Sequence, residues 1–183
     1  MKTVLKNVPN ILTLLRLAAV PLFIIVMNNG LYTVGIWVFV IAEITDVLDG
    51  IIARKFNLIT AFGRIADPVA DKLMQLTALF TLANLDRIMR IIPYLVLLKE
   101  LFLLISGLYV MRRKVDMSAK WFGKLTSVLF FIGIMLAFFE VSRDITDTIL
   151  WISVGMAVFA FIMYIRNYFK QVNKTDKTTP VSS

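Results

Sequence analysis

Cysteine and histidine are both absent from the 183 residues. Without cysteine there is no disulfide and no thiolate metal site. Without histidine the chain lacks the commonest general base and the commonest transition-metal ligand. Chemistry must fall to carboxylates, Lys, Arg, Tyr or hydroxyls, and any metal is expected to be a hard, oxygen-preferring ion such as Mg²⁺ or Mn²⁺. Acidic residues are outnumbered, 12 against 20 Lys and Arg, for a net charge of +8. No internal repeat is visible, and no small-residue cleavage site closes the first apolar run. That run is expected to be a retained span rather than a removed signal.

Apolar residues are abundant: they make up 59% of the chain, with a mean hydropathy of +0.82. A bilayer core needs about twenty apolar residues per helix. Six stretches approach that length, near 11–28, 33–53, 60–84, 91–111, 122–140 and 147–165. The expected fold is all-α: a polytopic membrane protein of six transmembrane helices, with one catalytic domain over 1–170 and a polar tail over 171–183. The basic residues separate by side. Lys2, Lys6, Arg54, Lys55, Arg64, Arg112, Arg113, Lys114, Lys120, Lys124, Arg166, Lys170, Lys174 and Lys177 share one side if the spans alternate, against Arg87, Arg90 and Arg143. Such asymmetry marks the cytoplasmic face, so both termini are expected there. The positive charge suits anionic headgroups better than nucleic acid in this setting.

Four acids break the apolar pattern. Asp46 and Asp49 close the second stretch; Asp67 and Asp71 lie early in the third. A carboxylate at a membrane helix centre costs about 2.5–3.5 kcal/mol on insertion scales. At 100° per residue, Asp46, Asp49, Gly50, Ala53 and Arg54 share an arc of roughly 140°, and Gly63, Asp67 and Asp71 one of roughly 80°. The short connection allows the two helices to be antiparallel neighbours with these stripes facing. Four facing carboxylates repel unless cations intervene, and two divalent ions about 3.5–4 Å apart would neutralise them and clamp a phosphate. The small residues leave room for a bulky ligand, and Arg54 can bond a phosphate. The plain alternative is that the acids only pair with Arg54, Arg64 and Lys72.

The segment D-V-L-D-G-I-I-A-R, eight residues, then G-R-I-A-D-P-V-A-D from Asp46 to Asp71 resembles the signature of the CDP-alcohol phosphatidyltransferases, with every fixed position and spacing matched. Asn7-Val8-Pro9-Asn10-Ile11-Leu12-Thr13-Leu14-Leu15-Arg16 is similar to the opening of the bacterial phosphatidylglycerophosphate synthases within that family. Asn10, Thr13 and Arg16 fall within about 120° on a helix; the alternative is an N-cap at Asn10 and a snorkelling Arg16.

The resemblance implies an enzyme that moves a phosphatidyl group from CDP-diacylglycerol to a small alcohol. It implies Asp46, Asp49, Asp67 and Asp71 as ligands of two Mg²⁺ or Mn²⁺ ions, with Asp71 as general base. It places Asn10, Thr13, Arg16, Asp46, Asp49, Gly50, Ala53, Arg54 and Gly63 around CDP. The pocket is expected to open to the cytoplasm, with the acyl tails in the bilayer of a bacterial-type cytoplasmic membrane. A homodimer is compatible with the resemblance, although no interface is legible.

The acceptor is less sharply marked. Lys72, Lys99, Arg112, Arg113 and Lys124 are candidates for an acceptor phosphate, and Lys99 stands out because an ammonium within a span is costly and functional. Family members that use glycerol 3-phosphate carry Arg-Glu where this chain has Lys99-Glu100, and Lys lacks the bidentate fork. Gly123-Lys124-Leu125-Thr126 is similar to a G-K-x-x-T run of the phosphatidylglycerophosphate synthases, shortened by one position. Glycerol 3-phosphate is the expected acceptor. The section from Lys99 to Lys124 is also similar to single-domain cardiolipin synthases, whose acceptor is phosphatidylglycerol. An intramembrane prenyltransferase and a cation transporter are the other classes weighed. The former has two separate acidic loops, and the latter often shows inverted repeats.

Overall fold

The computed structural model describes residues 2–56, 61–111 and 120–176. These form six helices: α1 (Lys2–Asn28), α2 (Tyr32–Lys55), α3 (Ala61–Asn84), α4 (Ile91–Met111), α5 (Lys120–Phe138) and α6 (Arg143–Asp176). There is no strand among the described residues. The all-helical expectation holds, and most helix ends fall within three residues of the apolar stretches that predict them. Two ends differ. The first helix starts at Lys2, so Asn10 lies inside it and is not an N-cap. The last continues to Asp176, through residues expected to belong to the polar tail. Residues 177–183 of that tail lie outside the described part.

The chain divides into two compact units, Met1–Asp86 and Arg87–Ser183. In the first, α1 packs extensively on both α2 and α3, and more so than α2 and α3 pack on each other. The expected α2–α3 neighbours therefore do touch, but α1 is their main partner. Phe23 of α1 and Phe39 of α2 are buried with ring centroids 6.4 Å apart, a tilted pairing that adds to the area they bury. Met74, Leu79 and Leu82 supply the buried stripe of α3. The first helix ends where Gly30 adopts φ +75°, a left-handed conformation that costs glycine little. The Gly30 and Leu31 N–H groups then donate back to Met27 and Val26 at 3.0 Å, satisfying carbonyls at the helix end.

In the second unit α6 is the common partner, packing closely on α5 and more loosely on α4. Phe130, Ile134 and Leu150 are buried there. The close α5–α6 approach passes over Gly133, where an added Cβ would lie 2.5 Å from Leu150 Cδ2. Small residues allow such approach between apolar helices. Gly155, on α6, has nothing within 4 Å of an added Cβ and serves no such contact. The carbonyl of Phe138 at the end of α5 accepts from Arg87 Nη1 at 3.2 Å, placing a cation at the negative end of the helix.

Two helical segments among the described residues are long and apolar enough to cross a membrane, Asn10–Asn28 and Arg143–Met163. Large apolar side chains also face outward. Leu15, Ile25, Trp37, Val47 and Phe139 are each more than half exposed. Apolar surface on this scale suits lipid or a partner rather than water. Hydroxyls on these helices are satisfied locally, as with Thr45 donating to Ile41 and Ala42 carbonyls and Ser153 to Ile149.

Candidate active site

Helices α1, α2 and α3 bring the polar residues of the first unit together. Asp46 lies on α2 about two turns before its end, and Asp67 and Asp71 lie one turn apart on α3. Both α3 acids are half-buried. The third contributor is α1, whose Thr13 and Arg16 are three residues apart and hence on one face. Thr13 is 0% exposed and Arg16 2%.

The contacts between these groups are specific. Arg16 Nη1 lies 2.5 Å from Asp46 Oδ1. Thr13 Oγ1 donates to Asp67 Oδ1. Lys72 Nζ lies 3.1 Å from Asp71 Oδ2 and 3.3 Å from Gln75 Oε1 on the next turn of α3. A buried guanidinium is tolerated only when its charge is answered, and Asp46 answers it. A hydroxyl donating to an ionised carboxylate is stronger than a neutral bond. The two α1 side chains thus tie one acid from α2 and one from α3.

Glu43 was not singled out from the sequence. It lies one turn before Asp46, half-buried, within electrostatic reach of Asp71, Asp46, Lys72 and Arg16. The signal was present: at 100° per residue Glu43 falls inside the same arc of roughly 140° as the α2 signature residues. A fixed motif that begins at Asp46 hides it.

Of the other expected CDP contacts, Asn10 and Gly50 are half-buried and Gly63 is buried. The helical backbone places Asp49, Ala53 and Arg54 on α2, and their side chains lie outside the described residues. Among the described residues no three Asp or Glu side chains form a group that holds a metal ion by itself. The donor chemistry nonetheless suits a hard divalent cation. The available ligands are carboxylate oxygens, and two of those carboxylates meet a second side chain through one oxygen, Asp67 in a hydrogen bond from Thr13 and Asp46 in an ion pair with Arg16, as metal-bound carboxylates commonly do.

The candidates for acceptor phosphate divide between the units. Lys72 belongs to the acid-bearing unit. Lys99 lies on α4 of the second unit, where it pairs with Glu100 and stands 5.8 Å from the Phe130 ring centroid. It borders a cavity of about 190 Å³ walled by apolar side chains such as Leu95, Phe102, Val154 and Phe161. A buried ammonium between a carboxylate and an aromatic face is well compensated. Lys124 is exposed in the second turn of α5. Arg112 and Arg113 lie outside the described residues.

Comparison with known proteins adds the family. The sequence pattern of the CDP-alcohol phosphatidyltransferase family matches residues 6–159. A CDP-diacylglycerol–glycerol-3-phosphate 3-phosphatidyltransferase of Rickettsia typhi is 37% identical over 178 residues, covering 91% of this chain and 97% of the relative. The protein of that name in Bacillus subtilis is 30% identical, covering 83% and 90%. Its namesake in Aquifex aeolicus is 28% identical, covering 92% and 99%.

Proposed function

The chain belongs to the CDP-alcohol phosphatidyltransferase family, and on that premise we propose that it transfers the phosphatidyl group of CDP-diacylglycerol to glycerol 3-phosphate, giving phosphatidylglycerophosphate and CMP. The observation that carries this reading is the full eight-position signature in the sequence, two of whose acids, Asp46 and Asp67, meet Arg16 and Thr13 of α1 in one compact unit. Relatives named for this reaction match nearly end to end, which supports the acceptor.

The chemistry is a single displacement at the lipid-side phosphorus. A free hydroxyl oxygen of glycerol 3-phosphate forms the new P–O bond. The bond to the CMP oxygen breaks, and CMP leaves with that electron pair. The hydroxyl proton passes to Asp71. Lys72 Nζ lies 3.1 Å from Asp71 Oδ2, beside the group that takes the proton, and it is the acceptor-phosphate contact this unit itself supplies. Gly50, Ala53 and Gly63 admit the nucleotide, and Arg54 binds its diphosphate. Asp46, Asp49, Asp67 and Asp71 would hold divalent cations, which neutralise diphosphate and leaving-group charge when bound. The protein's contribution is alignment and fixed charge, with no covalent intermediate.

The same reading makes all six helices membrane spans within one catalytic domain over 1–170, followed by a polar tail. Both termini and the acid-bearing unit face the cytoplasm, where CDP and glycerol 3-phosphate are available. Purified protein with CDP-diacylglycerol and Mg²⁺ should release CMP fastest with glycerol 3-phosphate among a panel that includes serine, inositol phosphate and phosphatidylglycerol. A clear preference for phosphatidylglycerol would reassign the acceptor, and no CMP with any alcohol would remove the reading altogether.

A further inference from the structure

We infer that Thr13 and Arg16 are positioning residues, which orient the carboxylates of Asp67 and Asp46 toward a divalent cation, and are not contacts to the nucleotide. The inference rests on the metal-assisted reading of the site.

Burial supplies the first argument. CDP arrives from water, so a side chain that grips it must present polar atoms to an open pocket. Thr13 is 0% exposed and Arg16 2%. Their polar groups are turned onto protein carboxylates: Thr13 Oγ1 to Asp67 Oδ1, and Arg16 Nη1 to Asp46 Oδ1 at 2.5 Å. By contrast, the Asp46 side chain is 32% exposed. The accessible partner of this pair is the carboxylate, and the concealed partner is the cation behind it.

Geometry supplies the second. The terminal torsion of an aspartate is broad, so an untethered carboxylate swings freely. A bond to one oxygen restricts that swing, and each carboxylate has a second oxygen for another partner. Thr13 does this for Asp67 by a hydrogen bond and Arg16 holds Asp46 by an ion pair, so two acids on two different helices are held from one face of a third. Because α1 packs on both α2 and α3, it fixes the relation between the acids as well as their rotamers. Outer-shell partners of metal ligands typically account for 10–100-fold in metal affinity or activity.

The test is Mn²⁺ binding by the full-length protein in detergent, read from the electron paramagnetic resonance signal of free Mn²⁺, with CMP affinity measured separately at saturating Mn²⁺. Thr13→Val keeps the side-chain shape and removes the donor. It should weaken Mn²⁺ binding by about 10–100-fold, leave CMP affinity at saturating Mn²⁺ within a few-fold of wild type, and be rescued by Thr13→Ser. Arg16→Lys, which keeps the charge but not the fork, should also weaken Mn²⁺ binding and provides the reading if Thr13→Val does not fold. Unchanged Mn²⁺ affinity in both variants, or a loss confined to CMP, would overturn the inference. Wild-type protein that releases CMP yet binds no Mn²⁺ would overturn the metal reading itself, a result separate from either of those.

Discussion

Replacing Gly133 with alanine tests whether helix contact in the second unit is as tight as it is drawn. The new Cβ would lie 2.5 Å from Leu150 Cδ2, 2.9 Å from its Cγ and 3.6 Å from Ile149 Cγ2. Carbon atoms prefer about 3.5–4.0 Å, so Leu150 or the α5–α6 spacing must give by roughly 1 Å. A rotation of the Leu150 tip does not suffice, because its Cγ is also too close and the residue is fully buried. Overpacking of this kind costs about 1–3 kcal/mol. Leu150→Ala alone should cost about 2–5 kcal/mol through the cavity it leaves. In the double variant the clash disappears and the alanine methyl occupies part of that cavity, so the combined loss should fall short of the sum by at least about 1 kcal/mol. Gly155→Ala is the control: a Cβ there meets nothing within 4 Å, and removing glycine's backbone freedom should stabilise α6 by about 0.5–1 kcal/mol. Thermal melts in detergent, followed by circular dichroism with refolding checked, report the differences at about 2–4 °C per kcal/mol for a chain of this size. Strict additivity, or Gly133→Ala melting with wild type, would refute the close-packing argument.

Three further predictions concern the first unit. Asp71→Asn should slow CMP release by about 10²–10⁴-fold, the usual contribution of a general base, while Mn²⁺ still raises the melting temperature; near-normal turnover would remove Asp71 from that role. Glu43→Gln keeps the shape of a side chain one turn before Asp46 and should leave the Mg²⁺ dependence of CMP release unchanged; a weaker Mg²⁺ response would show that a Glu43 negative charge contributes to the field of the site. Gly30→Ala has no steric neighbour but must hold φ near +75°, which costs a non-glycine residue about 1–2 kcal/mol; a melt indistinguishable from wild type would mean that the α1–α2 turn relaxes to another conformation.

The helices and the chemistry were legible for different reasons. Apolar runs bounded by basic or polar residues gave the six helices, because a helix satisfies every backbone hydrogen bond of a long apolar run within the run itself. The starts at Lys2 and the extension to Asp176 were missed because polar residues continue a helix as readily as they end it; no hydropathy change marks either boundary. The acid signature was legible because its spacing repeats the helical period, and Glu43 shows the weakness of stopping at a motif's first letter. Gly133 and Gly155 illustrate the same limit. Both are glycines inside apolar helices, and only one meets a neighbour.

Sequence alone determined which residues share a face: the α2 and α3 acids, and Asn10 with Thr13 and Arg16. Helical periodicity is a local property, fixed by 3.6 residues per turn. Only the tertiary structure decided what each face meets. Thr13 is hydrogen-bonded to Asp67 and Arg16 is ion-paired with Asp46 because α1 packs against both acid-bearing helices at a particular rotation and offset. Those two quantities arise from the summed packing of many side chains, and no spacing along one helix encodes them.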